Sequence, residues 1–217
     1  MSLSPEAASQ QTHEICAMAP VVPVLIIHEV THARPMAEAL MAGGLPALEV
    51  TLRTPAALDA IREMAQVPGG VVGAGTLLTP ADVDAALEAG ARFGVSPGAT
   101  DTLLDACETN GLPILPGAAT ASEAMRLAER GYEMLKFFPA EASGGAPALK
   151  ALASPLPRIT FCPTGGVSPS NAQTYLSLPN VICVGGSWVA PSDAATKGHW
   201  SAIEALARAA CALGQTR

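Results

Sequence analysis

One lysine is unusual because its neighbours along the chain are apolar. The chain has three lysines, and Lys136 alone lies inside an apolar, strand-like run. Because side chains alternate along a strand, Lys136 shares one face with Met134 and Phe138, while Leu135 and Phe137 form the face that would pack on helices. A desolvated amine loses part of its preference for the charged form and becomes a nucleophile toward carbonyl groups. The structural alternative is an amine that reaches solvent at the strand end or is buried in an ion pair.

A second apolar run, at residues 47–53, carries an acid and a guanidinium. Glu49, Thr51 and Arg53 alternate with apolar residues, so we expect these three side chains to share one inward face. A carboxylate and a guanidinium on that face could serve as a general base and an anion clamp. A structural ion pair without chemistry is the alternative, but a buried pair is weak evidence for stability alone. Together with Lys136, the pattern favours a function.

Glycine-rich turns follow two later strand-like runs, at residues 163–168 and 185–187. Glycine lets the backbone approach a ligand closely, and free N–H groups at a helix start attract anions. Such turns could hold a phosphate without a basic patch, although ordinary turn formation also explains each glycine pair. An earlier glycine pattern, 73–76, is interpreted as a tight turn, because it lacks the third glycine of a dinucleotide fingerprint.

Eight short apolar runs alternate with helical patterns along the chain. They begin near Val21, Ala47, Gly70, Arg92, Pro113, Glu133, Arg158 and Val181. Each spacing fits one strand, one helix and two turns. The pattern predicts an α/β protein with one domain over 1–217, a (β/α)8 TIM barrel with an extra N-terminal helix in 1–19. An open doubly wound sheet is the alternative, but residues 27–30 lack its phosphate fingerprint.

Helix signals separate these runs. Predicted N-caps are Thr79, Thr100, Thr120 with Glu123 as a capping box, and Ser168 followed by proline. Gly111 and Gly131 are predicted to end helices. Further helices are expected at 5–18 and 201–213. In a barrel the turns after the strands lie together at one end. We therefore expect the candidate residues near the strand ends to meet there.

Composition excludes several classes of protein. Hydrophobic residues make up 49% and charged residues 14% of 217, which is enough for a large core and too few charges for disorder. Twelve Lys and Arg residues against 19 Asp and Glu residues give a net charge of −7, which argues against nucleic-acid binding. Five dispersed cysteines without a CxxC pair, and histidines interpreted as surface or packing residues rather than ligands, predict no disulfide framework, no metal and a cytoplasmic location. The longest apolar run is too short to cross a membrane.

Seven short motifs occur in order, at residues 48–54, 72–76, 96–98, 115–117, 136–141, 161–167 and 184–188. Together they resemble the motifs of the class I KDPG/KHG aldolase family, which acts on 2-dehydro-3-deoxy-6-phosphogluconate (KDPG) and 4-hydroxy-2-oxoglutarate (KHG). The resemblance extends from about residue 20 to the last helix. It implies a cofactor-free (β/α)8 barrel, usually a homotrimer, that acts in the Entner–Doudoroff pathway.

The resemblance also implies roles for individual positions. Lys136 matches the Schiff-base lysine, and Glu49 matches the acid/base that moves protons. Substrate-binding positions are matched by Arg53, Thr76, Pro97, Phe138 and Thr164, and phosphate-binding positions by Gly165, Gly166, Gly186 and Ser187. One departure is Ile27, where some relatives have an arginine at the end of strand one.

The implied reaction is cleavage of KDPG, a small 2-oxo acid phosphate, to pyruvate and glyceraldehyde 3-phosphate, with KHG as a further substrate. One alternative is a related aldolase for 2-dehydro-3-deoxy-6-phosphogalactonate or for an unphosphorylated 2-oxo acid. Thr164 favours the gluconate type, because galactonate-type relatives tend to have an apolar residue near there. The other alternative is a non-catalytic barrel that binds phosphorylated metabolites.

Overall fold

The computed structural model describes residues 2–216, in which short parallel strands alternate with helices. The strands are β1 (Val21–Leu25), β2 (Ala47–Thr51), β3 (Val71–Gly75), β4 (Phe93–Val95), β5 (Ile114–Leu115), β6 (Gly117–Ala118), β7 (Met134–Phe137), β8 (Thr160–Pro163) and β9 (Val184–Gly186). The helices are α1 (Pro5–Ala17), α2 (Ala33–Ala42), α3 (Ala57–Ala65), α4 (Pro80–Glu88), α5 (Asp101–Asn110), α6 (Ala121–Arg130), α7 (Gly145–Ala153), α8 (Ala172–Leu176), α9 (Ser192–Thr196) and α10 (Trp200–Ala212). The predicted first and last helices are confirmed to within one residue at each end.

Every strand pair is parallel, which gives an α/β fold with a curled parallel sheet. One sheet has six strands in the order β5-β4-β3-β2-β1-β9, and the other has three in the order β6-β7-β8. Two single bridges, Phe161–Val181 and Thr164–Gly185, connect the β8 side of the second sheet to the β9 side of the first. Parallel strands direct their carboxyl ends to the same edge, so the turns that follow them lie near one another.

Pro116 divides the strand predicted to start near Pro113. It separates β5, which pairs with β4, from β6, which pairs with β7. Proline lacks the N–H that a continuous ladder would need at this point. Its carbonyl accepts a hydrogen bond from the backbone N–H of Lys136 at 2.9 Å, so the interruption still supports the strand that carries the lysine.

The predicted helix caps are confirmed at three of the four positions. Thr79, Thr100 and Thr120 cap α4, α5 and α6, and a full capping box forms at the first and third of these helices. Gly111 and Gly131 end α5 and α6 in the left-handed conformation, with φ of 74° and 114°.

The fourth cap prediction is wrong. Ser168 does not start a helix, because α8 begins four residues later with Asn171 as its N-cap. The side chain of Asn171 accepts a hydrogen bond from the backbone N–H of Ser168 at 2.8 Å. Its backbone N–H donates to the Ser168 carbonyl at 3.2 Å, so residues 168–171 close a turn before the helix.

Helix α1 covers the amino ends of the strands. The hydroxyl of Ser9 accepts hydrogen bonds from the backbone N–H groups of Glu133 and Met134, both at 2.9 Å, where β7 begins. The same helix contributes Cys16 to a small apolar cluster, the interior plug, formed with side chains from the inner faces of the strands. The interior plug comprises Cys16, Val22, Phe93, Val95, Leu115, Met134, Cys162 and Cys183. It separates the candidate site from the end of the fold that α1 covers.

A larger apolar cluster fills the space between the strands and the surrounding helices. No helix in residues 2–216 has the length and apolar character that crossing a bilayer requires. The five cysteines are all free thiols.

The capping box of α6 gives a stability prediction. The Thr120 hydroxyl accepts a hydrogen bond from the Glu123 N–H, and the Glu123 carboxylate accepts from the Thr120 N–H. Thr120→Ala should lower the free energy of unfolding by about 1 kcal/mol, because one helix-start donor loses its partner. Urea unfolding measures this change. Thr102→Ala, an exposed substitution inside α5, is the matched control and should stay within about 0.5 kcal/mol of the parent; equal effects would contradict the capping role.

Candidate active site

A buried amine faces a buried carboxylate in the interior of the fold. Lys136 on β7 and Glu49 on β2 are only 6% and 3% exposed, and the distance from Nζ to Oε1 is 3.4 Å. These strands belong to different sheets, so the contact joins the two sheets through the interior. The Lys136 amine also lies 5.2 Å from the centre of the Phe138 ring, within range of a cation–π interaction.

Burial makes the Glu49 carboxyl hold a proton more readily than an exposed glutamate. Burial is the largest influence and raises its pKa, while the neighbouring Lys136 opposes the rise, and Arg53 does so more weakly. Nearby Cys162 raises the pKa further. A carboxyl of this kind, within reach of an amine, is suited to accept and return protons.

The glycines of β3 provide the space that Glu49 occupies. A Cβ atom on Gly75 would lie 2.3 Å from Glu49 Oε1, and one on Gly73 would lie 2.5 Å from the Phe93 ring. The interpretation of 73–76 as a tight turn is wrong, because Gly73 and Gly75 belong to β3. Their role could not be found from spacing alone, since it depends on the side chains of β2 and β4.

Arg53 and Thr76 follow the ends of the neighbouring strands β2 and β3. Arg53 is exposed, and its Nε donates to the hydroxyl of Thr51 at 3.1 Å. Thr76 has φ of +64°, which is uncommon for a β-branched residue. Backbone hydrogen bonds hold the residues on either side of Thr76. The Gly75 carbonyl accepts from the Leu52 N–H at 2.8 Å, and the Leu77 N–H donates to the Val95 carbonyl at 3.1 Å. Strained backbone of this kind clusters at functional sites.

Pro97 and Phe138 lie partly buried after β4 and β7. A Cβ on Gly117 would lie 2.3 Å from the carbonyl carbon of Pro97, so the two backbones pack directly against each other. Phe138 lies beside Gly165, where an added Cβ would be 3.4 Å from the ring. The aromatic ring therefore lies between Lys136 and the first glycine turn.

The two glycine turns meet at the Thr164–Gly185 bridge. Thr164 is 7% exposed, and a Cβ on Gly185 would lie 2.2 Å from its hydroxyl. Gly165 and Gly166 have φ of 101° and 79°, conformations that favour glycine. The second turn is therefore held directly against the first.

Gly186 and Ser187 follow that bridge along the chain. A Cβ on Gly186 would overlap the ring of Trp188, so the close packing requires glycine there. Ser187 is exposed at the turn after β9. Ile27, two residues after the end of β1, is 1% exposed and belongs to the apolar core.

Cys162 is a site neighbour that motif analysis missed. It pairs with Lys136 across β7 and β8, and its Sγ lies 3.9 Å from the Thr164 hydroxyl. The hydrogen bond from the Cys16 thiol is the largest cause that lowers its pKa, and Cys183 and Lys136 act in the same direction. Strand alternation could have identified it, because residues 160, 162 and 164 share one face.

The fold and this site define a class of protein: an α/β protein with a buried amine–carboxylate pair near the carboxyl ends of parallel strands, next to glycine turns suited to anions. The family model described as "KDPG and KHG aldolase" matches residues 12–206. The chain belongs to this family.

Individual relatives agree with the family. The chain is 52% identical to a 2-dehydro-3-deoxy-phosphogluconate aldolase of Pseudoalteromonas atlantica, over 93% of this chain and 94% of the relative. A solved KDPG aldolase of Zymomonas mobilis ZM4, with 3-phosphoglycerate, has a TM-score of 0.89 and 48% identity over 94% of this chain and 97% of that one. A KDPG aldolase of Legionella pneumophila, with pyruvate captured as a covalent carbinolamine, has a TM-score of 0.89 and 45% identity over 96% and 98% of the two chains.

The clearance at Gly75 gives a prediction for the site. In Gly75→Ala the new methyl group must displace the Glu49 carboxylate, so we expect aldolase kcat to fall about tenfold or more, as for small misplacements of a reacting group. A steady-state assay of 2-oxo acid cleavage measures this change. Gly98→Ala is the matched control, because a Cβ there meets no atom within 4 Å. Unchanged kcat in Gly75→Ala would contradict the proposed importance of the Glu49 position.

Proposed function

We propose that the protein is a class I aldolase that cleaves KDPG to pyruvate and glyceraldehyde 3-phosphate, and that KHG is a further substrate. The observation that carries this proposal is the buried contact of 3.4 Å between the Lys136 amine and the Glu49 carboxylate. Family membership over residues 12–206 and the names of relatives about half identical to this chain support the reaction and its main substrate.

In the first half of the reaction, the Lys136 amine attacks the C2 ketone of the substrate. The carbinolamine that results loses water and becomes an iminium. The attack needs the neutral amine. Lys136 is 6% exposed, and the Glu49 carboxylate at 3.4 Å is placed to accept the proton of the amine. The chain's own lysine thereby supplies the electron sink for the later bond cleavage.

In the second half, Glu49 removes the proton from the C4 hydroxyl, and the C3–C4 bond breaks. The electrons of that bond move into an enamine on the Lys136 nitrogen, and glyceraldehyde 3-phosphate leaves. Glu49 then returns a proton to C3, and hydrolysis of the iminium releases pyruvate and restores the amine. The raised pKa of Glu49, caused mainly by burial, suits a group that must both take and give a proton.

The remaining site residues would hold the two anionic ends of the substrate. Arg53 and Thr76 are proposed to bind the carboxylate, and a guanidinium fork suits a planar carboxylate. Gly165, Gly166, Gly186 and Ser187 are proposed to bind the phosphate through backbone donors and one hydroxyl. Pro97, Phe138 and Thr164 would line the space between these ends. Phe138 lies against Gly165, which supports a path from the amine to the glycine turns.

We also propose that the two sheets form one closed (β/α)8 barrel in a single domain over 1–217. The strands β5 and β6 would be halves of one barrel strand on either side of Pro116, and the bridges between β8 and β9 would complete the ring. Contact between side chains of both sheets in the interior plug supports this closure. A homotrimer in the cytoplasm stays a prediction, and the free thiols fit a reducing compartment.

Covalent trapping tests the Schiff base directly. Sodium borohydride with pyruvate should reduce an iminium on Lys136 and leave a stable pyruvyl adduct, which peptide mass spectrometry locates. Lys136→Met should remove both the adduct and the cleavage of KDPG, because no other amine faces Glu49 in residues 2–216. Release of pyruvate from KDPG is followed with a coupled dehydrogenase.

Lys150→Arg is the matched control, because Lys150 is exposed on α7, and it should leave both trapping and cleavage intact. An adduct on another residue, or cleavage that persists in Lys136→Met, would disprove the proposed nucleophile. Binding of KDPG without release of pyruvate would instead support the non-catalytic alternative. Higher kcat/KM for the galactonate analogue or for an unphosphorylated acid would change the assigned substrate.

Glu49→Gln separates proton transfer from imine formation. The amide cannot carry the proton, so deuterium exchange at C3 of pyruvate should slow about 100-fold or more, while borohydride trapping on Lys136 continues. Because burial raises the pKa of Glu49, the parent enzyme should lose kcat/KM on the acid side at a pH above the ordinary glutamate value of about 4.3. That acid limb should disappear in the residual activity of the variant.

Glu88→Gln on the exposed end of α4 is the control for this substitution and should keep the parent pH profile. Exchange at the parent rate in Glu49→Gln would assign the proton transfer to another group.

A further inference from the structure

We propose that Thr51 is a positioning residue that fixes the Arg53 guanidinium for recognition of the substrate carboxylate. This inference rests on the proposed function, because it assigns a supporting role within the same site. Thr51 is the last residue of β2 and is 2% exposed. Its side chain lies between the exposed guanidinium of Arg53 and the backbone of β1.

The direction of the two hydrogen bonds follows from their partners. The Leu25 carbonyl can only accept, so the single hydroxyl proton of Thr51 is donated to it at 2.9 Å. The Arg53 Nε can only donate, so it donates to a lone pair of the same hydroxyl at 3.1 Å. The chain Arg53–Thr51–Leu25 therefore has one possible polarity, and it anchors the guanidinium to a strand of the sheet.

This anchor leaves the terminal nitrogens of Arg53 available. Within residues 2–216, the hydrogen bond to Thr51 engages only Nε, and no protein group accepts from the two Nη atoms. A long arginine side chain loses considerable rotamer freedom when it binds a ligand. Because one end is already held, less freedom remains to be lost when the two Nη groups bind both oxygens of a carboxylate.

The position of Thr51 connects the anchor to the other proposed carboxylate ligand. Thr51 pairs with Gly75 across β2 and β3, and Thr76 follows directly. The Leu52 N–H donates to the Gly75 carbonyl at 2.8 Å, so the two strand ends are held together at this point. Arg53 and Thr76 are thus presented from one rigid strand pair.

Thr54 offers an internal comparison. Its hydroxyl also donates to a carbonyl of the segment after β1, that of Ile27, but within residues 2–216 it makes no hydrogen bond with the guanidinium of Arg53. Thr51→Val and Thr54→Val both remove one hydroxyl from a similar threonine-to-backbone contact. Thr51→Val alone removes a hydrogen-bond partner of the guanidinium. A general loss of packing should instead affect both variants alike.

The test compares KDPG cleavage in the parent, Thr51→Val, Thr51→Ser and Thr54→Val. Thr51→Val should raise KM about five- to tenfold, the size expected for one lost hydrogen bond to a charged group, and leave kcat within about twofold. Thr51→Ser keeps the hydroxyl and should restore the parent KM, and Thr54→Val should leave KM within about twofold. In an Arg53→Met background, Thr51→Val should add nothing further, because its effect passes through Arg53.

Pyruvate binding, measured by calorimetry on the same variants, separates failure of this inference from failure of the proposed function. If the parent cleaves KDPG but Thr51→Val keeps its KM and pyruvate affinity, or shows the same loss in the Arg53→Met background, the positioning role is wrong. If the parent binds pyruvate in a Thr51-dependent way without cleaving KDPG, the proposed function fails and the positioning role stands. If the parent does neither, both are wrong.

Discussion

The energetic cost of burying an amine and a carboxylate side by side governs the design of this site. Each group loses most of its hydration, and their mutual attraction rarely repays that loss in full. The structure supplies partial compensation through the 3.4 Å contact between Lys136 and Glu49 and the ring of Phe138. Because the compensation is incomplete, the pKa of Glu49 is raised and its carboxyl holds a proton more readily than it would in water. A carboxyl with a raised pKa is suited to proton transfer.

Apolar side chains close one side of this buried pair. The interior plug fills the space between the pair and α1, and Cys16 carries that helix into the plug. At the other end, glycines replace side chains wherever a reacting group needs room, as at Gly75 beside Glu49. Glycines near the carboxyl ends of the strands therefore leave room for Glu49 and for close packing of the turns, while the interior plug fills the other side.

The features predicted correctly from the sequence are those set by local rules. Strand alternation places Lys136 and Glu49 on inward faces, and cap chemistry locates the starts of three helices, because each depends on residues a few positions apart. Most of the remaining features depend on distant partners. Pro116 divides a strand because of pairing on both of its sides. The Ser168 cap fails for a local reason, because the Asn171 side chain accepts from the Ser168 N–H and closes a turn before α8. The clearance at Gly75 and the bridging role of Thr51 each require knowledge of a neighbouring strand.

A protein of net charge −7 that handles a substrate with two anionic ends must rely on short-range donors rather than on its overall field. Arg53 provides one such donor at the proposed carboxylate end, and neutral backbone N–H groups of the glycine turns suit the proposed phosphate end. An additional positive charge beside Lys136 would oppose an iminium on its nitrogen. Backbone N–H donors carry no net charge and so avoid this effect. The buried, apolar Ile27 that follows β1 fits the same proposal, since it adds no further cation there. In the proposed site, placing the positive charges on one guanidinium and one amine would separate anion binding at the substrate's ends from the positive charge that develops at its reacting centre.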